Sequence, residues 1–387
     1  MPGKLAVALT FTLILTLITG SFAGTEKVLY SFTGGDDGSQ PYAGIIFDSA
    51  GNLYGTTQSG GAHGAGVVFK LTPSQNGWTE TVLYTFTGGA DGSLPLGGVV
   101  FDENGNIYGT ASNGGDPTCQ CGVVYKLTPS GTFSVLHAFV GGNDGQHPAS
   151  SMSYCCGFLH GTTVGGGSRG RGTTFELSVA GGTNHVTPFN GANGNQPWAS
   201  MNGVFGTTYL GGKYSAGNVY RQDFRITNVH VFNPAKLLGT HPLGPVIEDN
   251  HANLYGTTYD GGIGGYGTVY ELMWIPTLGH YKSIVVHGFT FTDGAGSASG
   301  LVMDADGNLY GATTVGGNAG LSPDGVVFKM TPGLKNKWTE TVLYNFSGGA
   351  DGGGLYGTII SDAAGNLYGT GIDGGAHGHG VVYEVVP

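Results

Sequence analysis

The stretch Trp78-Thr-Glu-Thr-Val-Leu-Tyr-Thr-Phe86, Gly88-Gly-Ala-Asp-Gly92, Pro95, Gly98-Val-Val-Phe-Asp102, Gly105-Asn-Ile-Tyr-Gly-Thr110, Gly114-Gly115, Gly122-Val-Val-Tyr-Lys-Leu-Thr-Pro129 decides the fold, because the chain repeats it. The C-terminal part reads Trp338-Thr-Glu-Thr-Val-Leu-Tyr-Asn-Phe346, Gly348-Gly-Ala-Asp-Gly352, Gly365-Asn-Leu-Tyr-Gly-Thr370, Gly374-Gly375 and Gly380-Val-Val-Tyr-Glu384. The aromatic–Gly anchor of this unit falls at Tyr54, Tyr108, His160, Phe205, Tyr255, Tyr310 and Tyr368, with spacings of 54, 52, 45, 50, 55 and 58 residues. Self-similarity at a period near fifty is the signature of a repeat architecture, here of seven units.

Each unit holds four short runs of β-branched and aromatic residues, separated by Gly, Asn, Asp or Pro, and these read as strands joined by tight turns. Asp-x-x-Gly-Asn, as in Asp48 to Asn52 and Asp304 to Asn308, suits a type I turn followed by a residue at positive φ. Gly44-Ile-Ile-Phe47 is apolar on both faces, as a strand buried between neighbouring sheets must be. The expected fold is all-β: a seven-bladed β-propeller of four-stranded antiparallel blades. Gly44–Phe47 is then the inner strand, followed outward by Leu53–Thr57, Val67–Leu71 and Val82–Phe86. The chain enters on Glu26-Lys-Val-Leu-Tyr-Ser-Phe32, which matches the outermost strand, and ends on Val381-Val-Tyr-Glu-Val385, which matches the third. Pairing of 28–32 beside 381–385 would close the ring and cover both open edges.

Residues 1–23 read as a signal peptide: Lys4, an apolar run from Leu5 to Ile18, and small residues Ser21 and Ala23 before the cut. Residues 24–387 are then one repeat domain, secreted or periplasmic. The net charge of −11 becomes −12 without Lys4, which argues against nucleic acid and anionic membrane as partners. Charged residues are only 10% of the chain while 77 are Gly, and the glycines recur at fixed places as turn punctuation. Of the four cysteines, Cys119 and Cys121 fall in one loop and Cys155 and Cys156 in a turn at the other end of a strand. Any oxidation is expected within each pair and not between them.

The phrases Asn52-Leu-Tyr-Gly-Thr-Thr57, Gly60-Gly61, Gly66-Val-Val-Phe-Lys-Leu-Thr-Pro73 and Trp78-Thr-Glu-Thr-Val-Leu-Tyr84 resemble the GloVer-type tandem repeat of bacterial secreted "choice-of-anchor" proteins. The resemblance covers residues 27–387. It implies a bacterial, exported repeat protein of no established activity, and it supplies no catalytic residues. Many such proteins carry a C-terminal sorting tail. This chain ends inside a strand, so free release is expected.

Three units depart from the pattern. The third replaces the Asp-x-x-Gly-Asn turn with Cys155-Cys156-Gly157 and has His160 at the anchor, where it is expected to stand in for a core aromatic. The fourth is shortened between Pro197 and Gly206, and the fifth lacks the Gly-Gly-x-Asp-Gly loop.

The strand order puts the Gly-Gly-x-Asp-Gly loops and the second-to-third-strand loops on one face. Asp37, Asp91, Asp144, Asp293 and Asp351 fall near its rim, where a ring of carboxylates could hold Ca²⁺ or each Asp could cap its own turn. His63, His377 and His379 sit in equivalent loops of units one and seven, beside Asp37, and could ligate Zn²⁺. No cofactor is required by the sequence. Gly166-Gly-Ser-Arg-Gly170 and Gly262-Ile-Gly-Gly-Tyr-Gly267 spell enzyme motifs, but neither adjoins a helix. The expected function is a monomeric, non-catalytic binding or structural propeller, contacting an extracellular glycan or protein through this face with tyrosines such as Tyr214 and Tyr266. The alternative is a polysaccharide hydrolase, a lyase or a lactonase with its site at the channel mouth.

Overall fold

The computed structural model describes residues 24–75, 77–181, 185–318 and 324–387, and the signal peptide read over 1–23 lies outside them. Seven antiparallel sheets form a seven-bladed β-propeller. Blade 1 runs from the axis outward as Ile46–Phe47, Leu53–Thr57, Val67–Ser74 and Gly77–Thr85. The inner strand is shorter than the apolar run suggests, because Gly44 and Ile45 descend along the axis before pairing begins. The outer hairpin is longer, because Thr72–Ser74 keep pairing with Gly77–Thr79.

Blade 4 has three strands, Phe205–Thr208, Asn218–Gln222 and Ile226–Val231. Its shortened unit leaves a single bridge, Asn202 to Phe205, in place of the inner strand. The ring closes as the terminal sequences require. Thr25–Ser31 pairs with Val381–Val386, in a register that sets Glu26 opposite Val385 and Ser31 opposite Val381.

Three features, each repeated around the ring, hold neighbouring blades together. A phenylalanine directly follows every outer strand, at Phe32, Phe86, Phe139, Phe189, Phe232, Phe289 and Phe346, and all seven are fully buried. Each meets the third-strand aromatic of the next blade: Phe86 on Tyr125 at 5.2 Å, Phe232 on Tyr270 at 5.2 Å, Phe346 on Tyr383 at 4.7 Å. Tilted and edge-to-face pairs at this separation add to the value of burial alone. The first Thr of the Tyr-Gly-Thr-Thr phrase donates its hydroxyl across the joint, as Thr56 does to the Gly97 carbonyl and Thr370 to that of Ala43, across the closing joint.

The third feature is a left-handed residue before each descent to the axis: Gln40, Leu94, His147, Gln196 and His241 at φ 53 to 59°, then Gly296 and Gly354. Its N–H donates to the preceding blade, from Gln40 to the His379 carbonyl and from His241 to that of Ala216. A non-glycine residue pays about 1–2 kcal/mol for this conformation, which the inter-blade bond offsets. Among the described residues, no helix is long and apolar enough to cross a membrane.

Candidate functional site

Directly after these left-handed residues the seven connectors converge on the axis and enclose a cavity of about 320 Å³. One equivalent position per blade forms its first ring: Tyr42, Leu96, Ala149, Trp198, Leu243, Ala298 and Tyr356. Tyr42 and Tyr356, from adjacent blades 1 and 7, stack at 4.8 Å with planes 22° apart. Trp198 comes from blade 4, across the ring from them. Two residues further along the connectors lie the hydroxyls Ser151, Ser200 and Thr358, and two beyond that position Ile46, Val100 and Ile360.

Among the described residues that line this cavity, only Tyr42 and Tyr356 have an ionisable side chain. Burial pushes the Tyr42 phenol up to about 12, so it is neutral in ordinary buffers. The cavity therefore offers aromatic faces, aliphatic walls and hydroxyls, with no charge and no general acid–base pair. Burial, and then Asp373 and Asp351, raise the carboxyl of Asp324. None of these three carboxylates lines the cavity.

The five rim aspartates are held apart, each within its own loop. Asp37 accepts from the Thr33 N–H at 2.8 Å and the Tyr30 hydroxyl at 2.9 Å. Asp91 and Asp351 repeat this with Thr87 and Tyr84, and with Ser347 and Tyr344. At Asp144 and Asp293 the tyrosine is replaced by His137 and His287, at 3.0 and 3.1 Å. His379 bonds the Ser39 hydroxyl through Nδ1 at 3.2 Å. Among the described residues no three of His, Cys, Asp or Glu are grouped to hold a metal ion. Tyr214 and Tyr266 are each about two-fifths exposed, and Tyr266 packs on exposed Phe291, in the loop that enters the sixth unit, at 5.3 Å. Cys119 and Cys121 are disulfide-bonded, while Cys155 and Cys156 lie with sulfurs 2.8 Å apart.

His160 does not replace a core aromatic. It lines a second cavity, of about 460 Å³, in the joint between blades 3 and 4. At three other joints the anchor tyrosine is covered by an inner-strand aromatic of the next blade: Phe101 covers Tyr54, Tyr154 covers Tyr108 and Phe47 covers Tyr368. In the fourth unit that position is Gly203, which has no side chain to cover His160, and both line the cavity. The sequence signal was available, but only by reading the anchor column of one unit against the inner-strand column of the next.

The sequence matches the Gloeobacter/Verrucomicrobia repeat over residues 16–154, 116–283 and 202–387. No curated protein sequence matches it. Among solved structures it is similar to a protein from Bacteroides uniformis provisionally assigned as a 6-phosphogluconolactonase. That likeness has a TM-score of 0.52 at 15% identity and covers 82% of this chain and 88% of that one. A gluconolactonase from Xanthomonas campestris is similar at TM-score 0.45 and 11% identity, over 94% of this chain and 89% of that one. At these identities the likeness is one of fold.

Proposed function

This chain belongs to the Gloeobacter/Verrucomicrobia repeat family, and from that premise we propose that it is an exported binding propeller whose glycine-rich face takes a neutral glycan in the axial cavity. The observation that carries this reading is the uncharged aromatic slot between the Tyr42–Tyr356 stack and Trp198. A pyranose ring presents apolar C–H faces and a hydroxyl edge. Aromatic walls suit the faces, and Ser151, Ser200 and Thr358 suit the edge. The cavity is at the small end of ligand sites, which favours a chain end or a short saccharide over a polymer lying across the face. A glycan carrying uronate or sulfate would bring negative charge to a net-acidic protein with no cation in the slot.

The same lining supports binding over hydrolysis at this mouth, since glycoside cleavage needs two carboxyl groups flanking the bond. The test is calorimetric titration of the mature protein with neutral and with uronate-containing oligosaccharides. Binding of the neutral series, lost in Trp198→Ala and weakened at least about tenfold in Tyr356→Ala, is the expected result. Unchanged affinity in both variants would exclude the axial cavity, and binding of a protein ligand alone would exclude the glycan.

A further inference from the structure

We propose that the joint between blades 3 and 4 holds a second site, independent of the axial one, in which Ser153, His160 and Glu176 hydrolyse small carboxylic esters. The three stand directly opposite one another on adjacent strands: Ser153 pairs with His160, and His160 with Glu176. Directly opposed residues share a sheet face, with Cβ atoms about 4.5–5.5 Å apart. His160 turns Nδ1 toward Glu176 Oε2, at 3.5 Å. That is the orientation a carboxylate imposes on a general base, and it frees Nε2 for the nucleophile.

The repeat itself is the control. At the Ser153 column five other units carry Ile46, Val100, Ile247, Val302 and Ile360, and the fourth carries Asn202. At the His160 column they carry tyrosine or phenylalanine. Where Gly203 stands, three other units have an aromatic cover. A hydroxyl, an imidazole and an open lid thus coincide at one joint of seven. From blade 4 the cavity they line has Met201 and Val204 as apolar wall, fit for a short acyl chain.

The reaction balances with water alone. Ser153 Oγ bonds to the ester carbonyl carbon while its proton passes to His160 Nε2. The carbon–alkoxy bond then breaks and the alcohol leaves with that proton. Water, deprotonated by Nε2, releases the acid and regenerates Ser153. Glu176 is a positioning residue that holds Nδ1–H and the transient imidazolium.

The experiment treats the mature protein with a fluorophosphonate and maps the adduct by peptide mass spectrometry, alongside p-nitrophenyl acetate turnover. The expected result is a phosphonyl group on Ser153, lost in His160→Gln, with turnover reduced at least about 100-fold in Ser153→Ala. Glu176→Gln should lower kcat about tenfold or more and leave KM unchanged. No adduct on Ser153, or an adduct elsewhere, overturns the proposal. So does turnover that survives Ser153→Ala but is abolished by alkylating Cys155. The wild-type adduct map needs no variant, so it decides even if a substitution unfolds the protein.

Discussion

If the N-terminal strand closes the ring, Leu29 must be worth as much as its counterpart in a blade that needs no closure. Leu29 and Leu343 occupy the same column of the outermost strand, in blades 7 and 6, and are 7% and 4% exposed. Leu29 packs with Val382 and Tyr368 of the C-terminal strands. Truncating a buried leucine to alanine costs roughly 2–5 kcal/mol. A domain of about 360 residues unfolds with an entropy near 0.76 kcal/mol/K, so the melting temperature should fall by about 3–7 °C. Leu29→Ala and Leu343→Ala should therefore match in differential scanning calorimetry and in denaturant midpoint. Deleting residues 24–31 should do far more. It removes the Leu29 burial and the ladder to 381–386 at about 0.5–1.5 kcal/mol per bond, together comparable with the whole stability of a typical domain. A Leu29→Ala shift under 1 °C beside a normal Leu343→Ala shift would mean that the strand is frayed and the closure does not hold the ring.

Glu26, Glu80 and Glu340 share another outer-strand column, and burial above all pushes each carboxyl up to about 7. A folded pKa above the ordinary 4.5 gives stability that is full below 4.5 and lost as pH rises through 7. Glu80→Gln should therefore raise the melting temperature at pH 8 but not at pH 4.5, and an equal change at both would refute the assignment. At Asp48 and its equivalents burial alone would raise the carboxyl, but hydrogen bonds from Asn52, Ala50 and Tyr54 outweigh it and hold it low. That stability is present above the unfolded pKa and lost on acidification through the folded one. Asp304→Asn should accordingly destabilise at pH 6, and its effect should shrink as the pH is lowered below the ordinary carboxyl range, read by the same scans. Ala252 occupies at φ 62° the turn position that is Gly51, Gly105, Gly307 and Gly365 in other blades. Ala252→Gly should stabilise by about 0.5–1 kcal/mol, and a loss in denaturant midpoint would contradict the strain. A non-reducing peptide map should show Cys119 joined to Cys121, with no link from either to Cys155 or Cys156.

What the sequence discloses and what it hides follow from the reach of each interaction. The blades were legible because strand alternation, Asp-x-x-Gly-Asn turns and the Tyr-Gly-Thr-Thr phrase act within one unit, and the closing strand was legible because Glu26–Phe32 repeats a known column. The axial slot was not, because Tyr42, Trp198 and Tyr356 are more than 150 residues apart along the chain and meet only when seven connectors reach one axis. The individual columns hold no signal; the chemistry arises from the angular order Tyr, Leu, Ala, Trp, Leu, Ala, Tyr around the ring. The lateral cavity depends on two residues in different units, a histidine that needs a cover and a glycine that cannot give one. Read unit by unit, each looks like drift within an array. Only their meeting across a single joint turns two losses into an opening, and it does so at the one blade that has also lost its inner strand.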